Sequence, residues 1–152
     1  MNYKLFISTA GIGSRIKSNF YLNKSLLPIN RVAVLSKIIE KFPIKIEIVL
    51  ALGHQGKIVK EYVKFYHSDR KIKFINIKNY NQKGSGPGLS LLQAKNYLQC
   101  PFIYSSCDTL ISGKPKKPLQ NWIGISKVEK PDDYLVLENI KNKIIIFDKK
   151  KK

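Results

Sequence analysis

The sequence predicts an α/β fold, a three-layer sandwich around a mainly parallel sheet, with a hairpin-like extension toward the C-terminus. Three observations predict it. Apolar, β-branched runs alternate with segments of helical periodicity over most of the chain. Glycine-rich turns follow those runs at 11–13, 53–56 and 84–88. The 152 residues, 43% of them hydrophobic, are enough for one sizeable core, and neither an internal repeat nor a linker interrupts them. A single domain over 1–152 is therefore expected.

The elements follow in order. Leu5, Phe6 and Ile7 read as a buried strand. Residues 32–42 set Val34, Ile38, Ile39 and Phe42 at helical spacing, and Pro43 ends that helix. Residues 44–52 (I-K-I-E-I-V-L-A-L) alternate and then run apolar, as in a strand entering a sheet covered on both faces. The turn G-H-Q-G leads into a helix over 57–66 with Ile58, Tyr62 and Phe65 on one side. Residues 72–77 alternate as a third strand, 79–88 form a polar glycine loop, 89–98 a helix and 102–104 a fourth strand ending near Asp108. Further strands are expected at 122–128 and 134–137, with 142–147 as the second arm of a hairpin. Strands alternating with helices imply right-handed βαβ units, hence a Rossmann-like sheet with its site outside the carboxyl ends of the strands. The Gly11, Gly53 and Gly84 turns and Asp108 all fall at those ends.

The stretch T-A-G-I-G-S-R after the first strand carries the chemistry. Ala10, Gly11, Ile12, Gly13 and Ser14 form a turn with few bulky side chains, so backbone N–H groups can line an anion-binding concavity. Arg15 and, nine residues on, Lys24 supply cations for the phosphates of a nucleotide. Ile16 stands where the dinucleotide fingerprint needs its third glycine, and no Gly-Lys-Ser/Thr follows, so neither that motif nor a Walker loop is present. Taken alone, Gly-x-Gly after a strand is a plain turn. Asp108, after the strand F-I-Y and two serines, offers a carboxylate that can hold Mg²⁺ beside substrate phosphates; taken alone it caps a turn.

The combination A-G-x-G-S-R … N-K-S-L-L-P-I resembles the signature of the sugar-nucleotide nucleotidyltransferases (the nucleoside-triphosphate transferase family). Ser14 replaces a common threonine and Asn23 a common proline, both mild changes. The resemblance assigns triphosphate neutralisation to Arg15 and Lys24 and magnesium binding to Asp108, with Cys107 in a usual glycine position. It sets Gly53 and the Gly84–Ser85 loop against the nucleotide base, and His54 receives no acid–base role. K-P-D-D-Y and I-F-D-K are similar to later family segments, which makes Lys149 a candidate acceptor ligand. The implied partners are a nucleoside triphosphate and a phosphorylated small molecule. The implied reaction is Mg²⁺-dependent transfer of a nucleoside monophosphate onto a phosphomonoester such as a sugar 1-phosphate, with release of pyrophosphate. The wording is closest to members of surface-polysaccharide gene clusters. Family members commonly continue beyond the I-x-E-K point, so a C-terminally shortened member, impaired in turnover, is expected.

The net charge of +18 raises a nucleic-acid alternative. Only Arg15, Arg31 and Arg70 are arginines, and the lysines are spread from end to end, which reads as a solvated surface. A glycosyltransferase would show Asp-x-Asp where Ser106-Cys107-Asp108 stands. A non-catalytic nucleotide-binding remnant remains the alternative from another class. No apolar run approaches a membrane span, no secretory signal opens the chain, and Cys100 and Cys107 lack metal spacing. A cytoplasmic protein with reduced thiols and no membrane partner is expected, with homo-oligomerisation left open.

Overall fold

The computed structural model describes residues 2–13 and 22–127, and the backbone of Val136–Ile140 and Lys143–Phe147. In chain order the elements begin with β1 (Lys4–Ser8), β2 (Pro28–Ile29), β3 (Val32–Ala33), α1 (Val34–Ile39), β4 (Glu47–Leu52) and α2 (Gly56–Tyr66). They continue with β5 (Ile72–Asn76), α3 (Pro87–Ala94), β6 (Phe102–Ser106), β7 (Val136–Ile140) and β8 (Lys143–Phe147). The chain divides into two compact units, Met1–Gln120 and Asn121–Lys152.

In the first unit β5, β4, β1 and β6 form one sheet in that spatial order, every neighbouring pair parallel. The central strands are covered on both faces, which explains their unbroken apolar runs. Leu5, Ile7, Ile48, Leu50 and Leu52 point to one side and pack with Leu35, Ile38 and Ile39 of α1 and Val59 and Val63 of α2. Phe6, Val49 and Ala51 point to the other and pack with Ala94 and Leu98 in and just after α3. Each large side chain removed from water in this way contributes about 1.5–3 kcal/mol. The three-layer α/β sandwich read from the sequence is the observed architecture.

Several local expectations are corrected. The helix expected over 32–42 starts instead as β3, the second arm of a short hairpin with β2, and the helix itself is the short α1. Asn30 and Arg31, at φ 52° and 66°, make the mirror-image turn that suits such a hairpin. The helical spacing of Val34, Ile38 and Ile39 still serves, since all three are buried. On α2 the inward face is Val59 and Val63, whereas Ile58 is exposed and Phe65 is 78% exposed. A Cβ on Gly56 would come within 2.9 Å of the Leu52 Cβ, so the first turn of α2 lies close against β4. α3 begins two residues earlier than expected, at Pro87, whose fixed φ suits a first helical position. It ends in a 3₁₀ turn, Lys95–Tyr97.

In the second unit β7 and β8 pair antiparallel, with Val136 opposite Phe147, which is the expected hairpin. The strand expected at 122–128 is absent over its described part, 122–127. No described strand offers that apolar stretch a ladder, and propensity without a partner does not make a strand. The expected start at Tyr134 lies outside the described residues. Among the described residues no helix is long and apolar enough to cross a membrane. Cys100 and Cys107 are both free thiols.

Candidate functional site

From β1 the chain moves outward through β4 to β5, then returns to add β6 on the other side of β1. That reversal opens a crevice beyond the carboxyl ends of β1 and β6, the place where open parallel sheets take ligands. Residues 9–13 enter it from β1, Cys107 and Asp108 from β6, and Lys24 from a single 3₁₀ turn, Lys24–Leu26.

Lys24 and Asp108 meet directly. The Lys24 Nζ donates to Asp108 Oδ2 at 2.7 Å, and the Ser106 hydroxyl donates to Asp108 Oδ1. The lysine side chain is 22% exposed and the carboxylate 49%, so solvent screens the pair and its net worth to folding is small. Burial alone would raise the Asp108 carboxyl, but the hydrogen bonds from Lys24 and Ser106 outweigh it and hold it below its ordinary value. The carboxylate is thus kept ionised. Its neighbour Cys107 is buried, which pushes the thiol up to about 11 and leaves it inert as a nucleophile.

The glycine turn is braced from the side. Thr9 donates to the Ala51 carbonyl through both its backbone N–H (3.0 Å) and its hydroxyl (2.7 Å). His54 N–H donates to the Ala10 carbonyl at 3.0 Å. A Cβ on Gly53 would sit 2.5 Å from the Ala10 oxygen, so this close approach requires glycine there. Gly13 has φ 69°, the left-handed region. Gly11 is different: it is exposed, and a Cβ on it would meet no described atom within 4 Å. The protein's own described packing gives no reason for glycine at that position.

Of the residues singled out in the sequence, Ala10, Gly11, Ile12, Gly13, Lys24, Gly53 and Asp108 gather at this end of the sheet. Ser14, Arg15 and Lys149 lie outside the described residues. Gly84 and Ser85 belong to the exposed loop after β5, the sheet edge two strands from β1, and make no hydrogen bond to the cluster. The helix that follows does reach it, because the Ser8 and Ser90 hydroxyls bond at 3.3 Å.

Sequence reasoning missed Asn23, Thr9 and Ser106 as parts of the site. Asn23 reads there as a mild replacement for proline, yet it is wholly buried and hydrogen-bonded at both ends of its amide. The available signal was Asn two residues before Ser25, the pattern of a side chain capping a turn.

The fold and this cluster define an open-sheet α/β protein whose site lies at the switch point of a parallel sheet. No family model matches the chain. A bifunctional GlmU protein from Methanococcus vannielii is 31% identical over 126 residues, spanning 80% of this chain and 29% of that protein. The fold is similar to that of the CTP:phosphocholine cytidylyltransferase from Streptococcus pneumoniae, with a TM-score of 0.62, 19% identity and coverage of 77% of this chain and 50% of that one. A UDP-glucose pyrophosphorylase solved with UDP-glucose gives a TM-score of 0.58 at 17% identity, covering 71% of this chain and 46% of that one. A nucleotidyl transferase from Methanothermobacter gives 0.56 at 18% identity, covering 74% and 53%. The chain is similar in sequence to part of that GlmU protein and in fold to these nucleotidyltransferases, in agreement with the motif resemblance. It spans about half the length of these solved structures and under a third of the curated relative.

Proposed function

We propose that the chain binds a nucleoside triphosphate in the crevice beyond β1 and β6 and acts as a nucleotidyltransferase toward a phosphomonoester, a sugar 1-phosphate or a similar compound. The observation that carries this reading is the direct meeting of Lys24 with Asp108 beside the Gly11–Gly13 turn. Among the described residues no atom would meet a Cβ on Gly11, which suits a close approach of this backbone to phosphates. Lys24, neutralised by Asp108 in this structure, would turn its ammonium to the phosphate oxygens when a triphosphate enters. Arg15 and the backbone of Ser14 join it by the motif resemblance, and Gly53, Gly84 and Ser85 take the base side. Lys149 is the candidate acceptor ligand. Residues 1–152 serve together as one nucleotidyltransferase-like domain in this reading.

The residues suit Mg²⁺ in one limited way. Asp108 is an ionised, half-exposed carboxylate with a hydroxyl beside it, the hard oxygen chemistry that this ion prefers. Among the described residues no group of three or more ligating side chains gathers, so Asp108 would hold the ion with triphosphate oxygens completing the set. Bound there, the ion would neutralise charge on the α-phosphate.

In the reaction a phosphate oxygen of the acceptor forms a bond to the α-phosphorus. The bond from that phosphorus to the bridging oxygen breaks, and pyrophosphate leaves with the electron pair. Lys24 and Arg15 stabilise the charge that develops on the leaving group, and the turns hold the donor in line. The setting is precursor synthesis for a surface polysaccharide, in the cytoplasm where nucleoside triphosphates are held. A second reading, nucleotide binding without turnover, is favoured by there being no group of three or more ligating side chains among the described residues.

A panel of nucleoside triphosphates and phosphomonoesters, assayed for pyrophosphate release with wild type and Asp108→Ala, tests the proposal. Mg²⁺-dependent release in one pair, lost in the variant while its circular dichroism is kept, is the expected result. Nucleotide binding with no release from any pair would favour the second reading. Unchanged release in the variant would remove Asp108 from the mechanism.

A further inference from the structure

Asn23 is completely buried, yet it is a polar residue placed directly before the lysine of the site. Its Nδ2 donates to the Thr9 carbonyl at 2.9 Å and to the His54 carbonyl at 2.7 Å. Its Oδ1 accepts the Ser25 N–H at 3.0 Å. Two carbonyls require donors and one N–H requires an acceptor, so the neighbours dictate which way the amide points. These three partners belong to three separate segments: the end of β1 leading into Gly11, the Gly53 turn after β4, and the 3₁₀ turn that carries Lys24.

We propose that Asn23 is the positioning residue of the site, a buried amide that ties the glycine turn, the Gly53–His54 turn and Lys24 into one unit. The inference rests on the triphosphate-binding reading above. Asn23 has no exposed surface and touches no ligand, so it acts only through what it holds. Its geometry is not readily replaced. Aspartate lacks both donors, serine has one, glutamine is a methylene longer, and proline, usual at this place in the motif, could make none of these bonds. The tie couples the cation for the phosphates to the turn on the base side. Losing it should loosen Lys24 relative to the glycine turn and weaken triphosphate binding through Lys24.

The test is a double-mutant cycle. Binding of the Mg²⁺ complexes of ATP, CTP, GTP, UTP and dTTP is measured by calorimetry on wild type, Asn23→Ala, Lys24→Ala and the double variant. With the tightest-binding nucleotide, Asn23→Ala should weaken binding about tenfold in the wild-type background, since buried carbonyls lose their donors. In the Lys24→Ala background the same change should cost under about threefold, because coupled residues are not additive. Equal losses in both backgrounds would mark Asn23 as merely structural and overturn the inference. Should the alanine variant fail to fold, Asn23→Ser, which keeps a single donor, carries the same comparison. If wild type binds none of the five nucleotides, the functional reading itself fails. If wild type binds and the cycle is additive, only the role of Asn23 falls.

Discussion

Two buried polar clusters hold the first unit together, and they do different work. At the carboxyl ends of the strands, Thr9 bonds to the backbone of β4 and Asn23 to backbone groups of neighbouring turns. Between the helices, the Ser36 hydroxyl on α1 bonds to the Tyr62 hydroxyl on α2 at 2.8 Å and to His67 Nε2 at 2.7 Å. Arg70 adds bonds to the Phe42 and Ile39 carbonyls at the end of α1. The first cluster shapes loops around an exposed charged pair. The second joins two helices to each other. Most buried polar groups are satisfied in both, the Ser25 hydroxyl and Arg70 Nε being left without partners, but only the first has its next neighbours, Lys24 and Asp108, open to solvent. A polar network therefore points to a site when it orients something accessible.

That contrast can be broken most forcefully at Lys24. Lys24→Ala should weaken binding of the Mg²⁺–triphosphate complex by about tenfold to a hundredfold, the worth of a charge-assisted hydrogen bond. Its melting temperature should move by less than about 4 °C, because the lost pair is solvent-screened. A large melting shift with unchanged affinity would make Lys24 a structural residue.

Gly53→Ala should disturb both stability and affinity, since its methyl group must displace the Ala10 backbone. A loss of about 1–3 kcal/mol in urea unfolding, typical of overpacking, should accompany weaker triphosphate binding. Ser36→Ala should cost about 1–3 kcal/mol by leaving the Tyr62 hydroxyl and His67 without their buried partner. Triphosphate affinity should not change in that variant, and a parallel loss of affinity would show that the two clusters are coupled.

The smallest effect distinguishes the clusters by pH. Burial pushes His67 below its ordinary value, against the pull of Glu40 and Asp69 and with help from Arg70. A lowered folded value means that the unfolded chain binds the proton more readily, so stability is full above the unfolded value, about 6.5, and declines below it. Asp108 is also lowered, so its contribution is present above its unfolded value, about 3.9, and is lost as pH falls through its folded value. Melting temperatures should therefore begin to fall below about pH 6.5, and His67→Gln should flatten that first decline while leaving the second. A flat wild-type profile from pH 7 to about 5 would remove His67 from the account.

Much of this molecule was legible in its sequence. The alternation of apolar runs and helical spacings was enough for a parallel three-layer sheet, because burial on both faces demands those runs in β1 and β4. Strand ends marked Gly11 and Asp108, and the motif resemblance added Lys24, whose ammonium meets the Asp108 carboxylate. Other features depended on contacts between distant segments. Pairing with β2 made residues 32–33 a strand in place of the start of an expected helix, the close approach of Gly56 to Leu52 set the first turn of α2 against β4, and 122–127 found no described partner strand. Asn23 is the sharpest case: its chemical character is written in the chain, but its value comes from two carbonyls 14 and 31 residues away. Periodicity is a local property and survives in one dimension. Hydrogen-bond partners across loops exist only once the sheet has brought those loops together.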